Sequence, residues 1–231
     1  DEAVSEFVDY AVADGIATLT MDDGKANAFG LGMMAAISDG LDRAGEEADV
    51  VVVIGRPGLL CGGFDLKVIN GPKDGVREMV EAGADLLMKT YMHPQPVIMG
   101  CTGHAVAAGA LFLCTADYRI GMAGDFKIGL NETAIGLSLP TFGLELARDR
   151  LDNRHLNRAT MGAELYPPTA ATEIGYLDET AREGHFRERL LEKAVEYQAL
   201  DKAGYAQVKQ RLRTARETLI RSGLQAEMEA R

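Results

Sequence analysis

The sequence predicts an α/β protein, with a core rich in parallel strands and a helical C-terminal region. Two apolar runs, DVVVVIG (49–55) and PVIMG (96–100), are continuous instead of alternating, which is typical of strands buried on both faces. Segments with apolar residues every three or four positions alternate with such runs, and this order favours a parallel sheet. From about Thr141 the pattern is mostly helical and ends in a charged, amphipathic stretch at 188–223.

The other elements follow in order along the chain. Residues 7–24 (FVDYAVADGIATLTMDDG) contain two β-forming stretches separated by Ala-Asp-Gly, which predicts a hairpin. A helix periodicity at 76–92 stops before a proline, because the residue before proline disfavours the helical conformation. The remaining predicted elements are a helix at 28–47, a helix from about Ala107 and a strand through 117–124.

Length and composition exclude several classes of protein. The 231 residues predict one large domain, or one domain with an appendage. A formal net charge of −11 disfavours nucleic acid as the main partner, because phosphate neutralisation drives that binding. Gly or a charged residue interrupts every apolar run within about 18 positions, so no membrane partner is predicted. The acidic start, DEAVSEFVDYAVADG, does not resemble a signal peptide.

Cysteine and histidine usage predicts the cellular compartment and the absence of a metal site. Cys61, Cys101 and Cys114 lie in apolar surroundings without a C-x-x-C pair, and three is an odd number for a disulfide framework. We therefore expect a reduced, cytoplasmic protein. The four histidines are scattered without metal-ligand spacing, so we expect no metal.

Two stretches share an arrangement of a buried strand, a turn of very small residues and then a helix. In 50–69 the turn is Cys-Gly-Gly before Phe64, and in 96–112 it is Ala-Ala-Gly from Ala107. Small residues let a ligand approach the backbone, and a helix N-terminus presents unpaired N–H groups. Two such donors that converge on one point would form an oxyanion hole. The alternative is a tight turn that is small for packing reasons alone.

The order and spacing of four segments resemble the crotonase superfamily, the enoyl-CoA hydratase/isomerase family. The segments are GKANAF (24–29), GLLCGGFDL (58–66), PVIMGCTGHAVAAGALFLCTADYRI (96–120) and FKIGLNETAIGLSLPTFG (126–143). The resemblance extends from about residue 6 to residue 222. It implies the crotonase fold, in which repeated ββα units wind into a right-handed spiral followed by C-terminal helices.

The resemblance also implies how an acyl-CoA would bind. The backbone N–H groups of Phe64 and Ala108 match the two oxyanion-hole donors, and the carbonyl of Gly62 matches a contact to the adenine of CoA. Lys25, Ala26 and Ala28 match a segment that lies along CoA. The other expected substrate or CoA contacts are Gly63, Asp65, Leu66, His104, Ala107, Gly109, Leu111 and Ile135. Coenzyme A is part of the substrate, so no separate cofactor is expected.

Two of these residues keep a structural alternative. Asp65 stands where a helix begins and is also suited to capping that helix. His104 lies close to the Ala-Ala-Gly turn and is equally suited to a hydrogen bond that only supports the fold.

Leu111 separates the possible reactions. Hydratases of the family carry two glutamates, and the matching positions here are Leu111 and Glu132. A leucine neither holds a water molecule nor shuttles a proton, and the Asn-Glu-Thr around Glu132, followed by Gly136 and Pro140, resembles the mitochondrial-type Δ3,Δ2-enoyl-CoA isomerases. The implied function is isomerisation of 3-enoyl-CoA to trans-2-enoyl-CoA in fatty-acid oxidation, with Glu132 as the single acid/base. A partly desolvated Glu132 would have a raised pKa.

Two alternatives to the isomerase stay open. One is another acyl-CoA reaction of the same family, either hydration or thioester hydrolysis, with Glu132 activating water. The other is a catalytically silent acyl-CoA-binding protein.

The chain is expected to divide into two regions. Residues 1–185 would form the spiral core with the CoA and catalytic sites, and residues 186–231 a helical region used for oligomerisation. The resemblance implies a homotrimer, or a hexamer built as a dimer of trimers. The alternative for the tail is packing on its own domain.

Overall fold

The computed structural model describes residues 5–229, which form an α/β fold. The strands are β1 (Val8–Ala13), β2 (Ile16–Met21), β3 (Val50–Ile54), β4 (Gly58–Cys61), β5 (Val97–Cys101), β6 (Gly103–Val106), β7 (Tyr118–Met122), β8 (Ile128–Gly129) and β9 (Glu179–Ala181). The helices are α1 (Leu31–Glu47), α2 (Leu66–Ile69), α3 (Lys73–Tyr91), α4 (Ala108–Thr115), α5 (Thr141–Arg150), α6 (Leu156–Thr160), α7 (Pro168–Ile174), α8 (Glu183–Gln198) and α9 (Lys202–Glu229). A 3₁₀ helix spans Glu132–Ile135.

The strands form two sheets, and successive strands are shared between them. The large sheet has the order β1-β2-β3-β5-β7-β9, with β1 antiparallel to β2 and every other pair parallel. The small sheet has the order β4-β6-β8 and is parallel throughout. Strand pairs β3–β4, β5–β6 and β7–β8 each contribute one strand to each sheet, and each pair leads into a helix. These are repeated ββα units, as expected for the crotonase fold.

The sequence located the strands of the large sheet better than those of the small one. The hairpin is confirmed, and all five residues of β3 and of β5 are buried, as their continuous apolar runs predict. The expectation that the small-residue turns directly follow these buried strands is wrong. The turns follow β4 and β6, which have four residues each and begin with glycine, so they are too short to give a clear period.

Helices cover both faces of the large sheet. Helices α1, α3, α4 and α5 contribute to the main apolar core, whereas Phe186, Leu190 and Ala194 of α8 pack with strand residues on the opposite face. The predicted division between residues 185 and 186 falls inside α8 and stays a prediction. Residues 1–4 and 230–231 of the two predicted regions lie outside the described residues.

The C-terminal helix α9 buries charged side chains and exposes apolar ones. Lys209 and Arg213 are buried and form ion pairs with the two carboxylate oxygens of Asp117. Lys209 Nζ lies 2.6 Å from Oδ2 and Arg213 Nη1 lies 2.9 Å from Oδ1. Arg213 also donates to the Tyr91 carbonyl at 2.7 Å. The outward face carries Val208, Leu212 and Leu219, all more than half exposed. This helix is therefore attached to its own core by an ion cluster and, further along, by Ile220, which is fully buried in the main apolar core.

Candidate active site

The C-terminal ends of the small sheet bring three separate segments together. Phe64 follows β4 by three residues, Ala108 follows β6 by two and Glu132 follows β8 by three. The strands are parallel and β6 lies between the other two, so all three segments leave the sheet at the same edge. In open parallel sheets this edge is the usual location of ligand sites.

The turn after β4 orients the Phe64 amide. Phe29 donates from its N–H to the Gly63 carbonyl at 2.8 Å and accepts from the Asp65 N–H at 3.3 Å. Because N–H directions alternate along extended backbone, the Phe64 N–H points to the side opposite Phe29. The Phe64 ring packs edge-on against the Phe29 ring, with centroids 6.5 Å apart, and against Gly83 of α3. The two backbone hydrogen bonds to Phe29 thus fix the direction of the Phe64 amide, and packing of the half-buried ring supports it.

The turn after β6 opens a buried helix with an unusual backbone conformation. Ala107 has φ 55° and ψ −122°, a strained region for a residue with a Cβ, and its N–H donates to the Gly129 carbonyl at 2.9 Å. Ala108 is the first residue of α4, so its N–H has no acceptor within the helix. A Cβ at Gly109 would lie 2.9 Å from the Cβ of Cys61 and closer still to the Cys61 carbonyl, so glycine allows this helix to approach β4.

The two turns are in contact. Gly63 has φ 105°, and a Cβ added to it would lie 3.1 Å from the Ala107 Cβ and 3.7 Å from the Ala108 nitrogen. The residue after Gly63 and the residue after Ala107 are the two predicted oxyanion-hole donors. Their amides thus belong to segments that are in contact, as the prediction requires. The role of these two amides as oxyanion-hole donors stays a prediction.

Glu132 begins the 3₁₀ helix and is 8% exposed. Among the described residues, its Oε2 atom has no hydrogen-bond partner. Burial raises the pKa of this carboxyl, and a hydrogen bond from its own backbone N–H opposes that shift only in part. A buried carboxyl with a raised pKa is a stronger base than the same group in water, which suits proton transfer.

Leu111 and Ile135, two predicted substrate contacts, lie in different environments. Leu111 is buried in α4, and its side chain lies against Gly143, which the side chain of Leu139 also approaches. The position that carries a carboxylate in the two-glutamate pattern is therefore packed in apolar surroundings. Ile135, at the end of the 3₁₀ helix, is 50% exposed and lies at the surface.

The predicted CoA segment lies beside the Phe64 turn. The Gly62 N–H donates to the Ala26 carbonyl at 2.9 Å, and Lys25 and Ala26 are exposed, with Ala28 half-buried. Asn27 holds this segment: its side chain is fully buried and donates to the carbonyls of Met21 and Leu60. Asn27 stands inside the GKANAF segment, but no local pattern indicates that its side chain is buried.

A second cation, Arg56, lies at the same place. Its Nε donates to the Lys25 carbonyl at 3.0 Å, and the side chain is exposed. No local pattern indicates this contact, because helix α1 and strand β3 separate Arg56 from Lys25 in the chain.

Asp65, Leu66 and His104 complete the predicted set. Asp65 accepts from the Lys67 N–H at 2.9 Å and caps α2, as its structural alternative predicts. Leu66 is 58% exposed next to it. His104 Nδ1 accepts from the Lys127 N–H at 3.0 Å, so the residue makes the fold-supporting hydrogen bond that was its structural alternative. A contact of the His104 ring to CoA stays a prediction.

Within residues 5–229, no three His, Cys, Asp or Glu side chains are grouped so that they could hold a metal ion. In the same residues, no helix is both long and apolar enough to cross a bilayer. The three cysteines are free and buried.

Strand pairs that are shared between two sheets, each pair followed by a helix, define an α/β protein of the crotonase fold. The family model described as enoyl-CoA hydratase/isomerase matches residues 11–230. The chain belongs to the enoyl-CoA hydratase/isomerase family.

Similar proteins carry both of the names in that description. A structure of an enoyl-CoA hydratase/isomerase family protein from Pseudomonas syringae is 36% identical, with a TM-score of 0.95 over 97% of both chains. A Mycobacterium tuberculosis protein described as an enoyl-CoA isomerase is 34% identical, with a TM-score of 0.91 over 96% of this chain and 97% of that one. A second structure of that protein is described as a probable enoyl-CoA hydratase (34%, TM-score 0.92, 96% and 95%).

The curated relatives are longer than this chain. Rattus norvegicus mitochondrial enoyl-CoA delta isomerase 1 is 28% identical over 175 residues, which cover 73% of this chain and 60% of that protein. The chain thus spans about 60% of the length of the curated relative that it matches.

Proposed function

We propose that this protein isomerises 3-enoyl-CoA to trans-2-enoyl-CoA, with Glu132 as the single acid/base. The observation that carries the proposal is the Glu132 carboxyl, which is buried and has an unpartnered oxygen. Its segment leaves the small sheet at the same edge as the Phe64 and Ala108 turns. The apolar packing of Leu111, where a second carboxylate would stand, supports a reaction that needs only one. The relatives described as isomerases support the same choice.

The reaction transfers one proton and consumes no water. The Glu132 carboxylate takes a proton from C2, the C–H electron pair forms a C1–C2 double bond, and the thioester carbonyl becomes a dienolate oxygen. The N–H groups of Phe64 and Ala108 stabilise that negative oxygen. The oxygen then re-forms the carbonyl, the double bond moves to C2–C3, and C4 takes the proton back from the Glu132 carboxylic acid on the same face.

General chemistry predicts the rate enhancement that each part of the site contributes. A positioned acid/base contributes about 10²–10⁴-fold, and one oxyanion-hole donor about 10²–10³-fold. A raised pKa brings Glu132 nearer to the value at which a group both removes and returns a proton efficiently. No metal or separate cofactor takes part in this scheme.

The alternative reactions would use the same carboxylate differently. Hydration of 2-enoyl-CoA or hydrolysis of the thioester would need a water molecule beside Glu132, and the description of one relative as a probable hydratase favours keeping hydration as the second candidate. A silent acyl-CoA-binding protein would use only the oxyanion donors and the CoA segment.

The test is a spectrophotometric assay with cis- and trans-3-enoyl-CoA, comparing the wild type with Glu132→Gln. Conjugated 2-enoyl thioester is expected with the wild type, and the variant is expected to lose about 10²–10⁴-fold in kcat. Glu164→Gln, which removes an exposed carboxylate at the surface, is the matched control and is expected to keep full activity. Turnover of 2-enoyl-CoA without turnover of 3-enoyl-CoA would replace the isomerase by a hydratase. Binding of acyl-CoA without any turnover would leave the silent binder.

The CoA-binding end of the proposal rests on the exposed Lys25 beside Arg56. Both cations lie next to the Gly62 turn, so either is suited to a phosphate of CoA. Lys25→Ala is expected to raise KM for 3-enoyl-CoA several-fold with kcat unchanged, because the group binds substrate and transition state equally. The unaltered KM of a pantetheine thioester, which lacks the nucleotide, is the control.

The assembly and location are also proposals. The exposed apolar side chains of α9 favour a homotrimer or a hexamer, which sedimentation of the wild type would distinguish from a monomer. A Leu212→Glu variant is expected to sediment as a smaller species. The cytoplasmic location stays a prediction from cysteine usage.

A further inference from the structure

Tyr176 is a buried tyrosine whose hydroxyl proton has no acceptor in the described part of the chain. The residue follows α7 and is fully buried, and its hydroxyl has no hydrogen-bond partner among residues 5–229. Buried tyrosine hydroxyls usually have a partner, because an unpaired polar group in the interior is destabilising. A phenylalanine would fill the same space without this penalty, so the hydroxyl calls for an explanation.

The Tyr176 side chain is located next to the segment that carries Glu132. Its ring lies 6.3 Å from the ring of Tyr166. Tyr166 in turn exchanges two backbone hydrogen bonds with Ile128, at 2.8 and 2.9 Å, in the strand that leads into Glu132. The Tyr176 hydroxyl itself is close to the backbone N–H of Leu130, two residues before Glu132.

Glu132 lacks the hydrogen-bond donor that the Tyr176 hydroxyl could supply. Its Oε2 is a buried acceptor without a donor, and the Tyr176 hydroxyl is a buried donor without an acceptor. Both groups belong to the same part of the interior, since Tyr176 packs on Tyr166 and Tyr166 is bonded to Ile128, four residues before Glu132.

We propose that Tyr176 is a positioning residue for Glu132: its hydroxyl donates a hydrogen bond to a water molecule that in turn donates to the Glu132 carboxylate. This proposal rests on the proposed function in one respect, the role of Glu132 as the acid/base. The hydrogen bond fixes the orientation of the carboxylate, so that one oxygen faces the substrate. It also stabilises the ionised form, which opposes the desolvation of the site.

Few other titratable groups face this pair. Tyr176 is surrounded by Cys114 of α4, by Tyr166 and by Glu132. The Tyr166 hydroxyl is already bonded to Glu164 at 3.0 Å, and burial raises the pKa of Cys114 to about 11, so both are neutral near pH 7. A change in the titration of Glu132 on removal of the Tyr176 hydroxyl is therefore attributable to that hydroxyl.

The experiment replaces the hydroxyl only, with Tyr176→Phe, and follows Glu132 by two independent readouts. The first is the carboxylic-acid stretch of Glu132 in infrared difference spectra against pH, assigned by its loss in Glu132→Gln. Its midpoint is expected to rise by about one pH unit in Tyr176→Phe, because the ionised form loses a hydrogen bond. The second is the pH profile of kcat with 3-enoyl-CoA, whose acidic limb is expected to shift equally, with kcat about tenfold lower and KM unchanged.

The infrared readout does not depend on turnover, so it separates this proposal from the isomerase assignment. A shifted midpoint in an enzyme that does not isomerise 3-enoyl-CoA would keep Tyr176 as the positioning residue and reject the proposed reaction. An unshifted midpoint would overturn the role of Tyr176, whatever the activity. Tyr166→Phe removes a neighbouring hydroxyl that is bonded elsewhere and is expected to change neither readout.

Discussion

The N–H of Ala107 donates a 2.9 Å hydrogen bond to the carbonyl of Gly129. This bond joins the residue before the Ala108 amide to the segment that leads into Glu132. This one hydrogen bond therefore links the segment of a predicted oxyanion donor to the segment of the predicted base, at the ends of two neighbouring parallel strands. Displacement of either strand end would move both groups relative to each other.

Gly129→Ala tests that connection. Gly129 has φ 150°, and a Cβ there would lie 2.8 Å from the Glu164 carbonyl and 3.1 Å from the Leu165 side chain, so the strand end must move. We expect kcat to fall at least tenfold, and the free energy of unfolding to fall by roughly 1–3 kcal/mol. Activity and thermal unfolding would be measured together. Gly184→Ala, where a Cβ meets no atom within 4 Å, is the control and is expected to leave both values nearly unchanged. An active Gly129→Ala would show that the site tolerates movement here.

Ala107 is expected to respond to substitution by backbone strain. Its φ of 55° favours glycine, so Ala107→Gly is expected to be neutral or slightly stabilising, because relief of strain offsets the greater freedom of the unfolded chain. Ala107→Val is expected to lower the free energy of unfolding by about 2 kcal/mol or more, since β-branching is disfavoured at positive φ and Gly63 lies close by. Urea denaturation of the three proteins checks the order. Equal stabilities of the Val and Gly variants would contradict it.

The sequence was informative where a local pattern carries the structure. Continuous apolar runs located β3 and β5, and the small residues around Gly63 and Ala107 marked the two turns that meet. The position of Glu132 beside them did not follow from periodicity or composition. It came from the family resemblance. The resemblance implies the order of the strands, whereas local sequence patterns do not.

Other features depend on contacts between distant residues and have no local signal. Asp117 meets Lys209 and Arg213, which are more than 90 positions away in the sequence, and a charged helical stretch predicts a solvated face instead. Asp117 also accepts the Val97 N–H at 2.7 Å, and its ion pairs with α9 were missed. Tyr176 was missed for the same reason, because nothing near it in sequence indicates that it packs on Tyr166, next to the strand that leads into Glu132.

Asp117→Asn is expected to detach α9 from the core. The substitution leaves the buried Lys209 and Arg213 without a carboxylate, and breaking a buried pair in this way costs about 3–5 kcal/mol. Urea denaturation would measure the loss, and increased proteolysis within α9 would locate it. Asp85→Asn removes the exposed partner of Arg221 and is expected to change the free energy of unfolding by less than about 1 kcal/mol. Similar losses in both variants would mean that the buried cluster contributes no more than a surface pair.

Glu132→Gln is expected to make the protein more stable at neutral pH while removing its activity. Burial raises the pKa of Glu132 in the folded state above its unfolded value, so the ionised form is disfavoured by folding. The wild type is therefore most stable, relative to the variant, below the unfolded pKa, and it loses that stability as pH rises through the folded pKa. The difference at neutral pH is about 1.4 kcal/mol for each unit of the shift. Thermal unfolding of both proteins from pH 4 to pH 8 would measure it. A gap that stays constant over this range would contradict a buried carboxylate with a raised pKa, and with it the stored basicity on which proton transfer at this site depends.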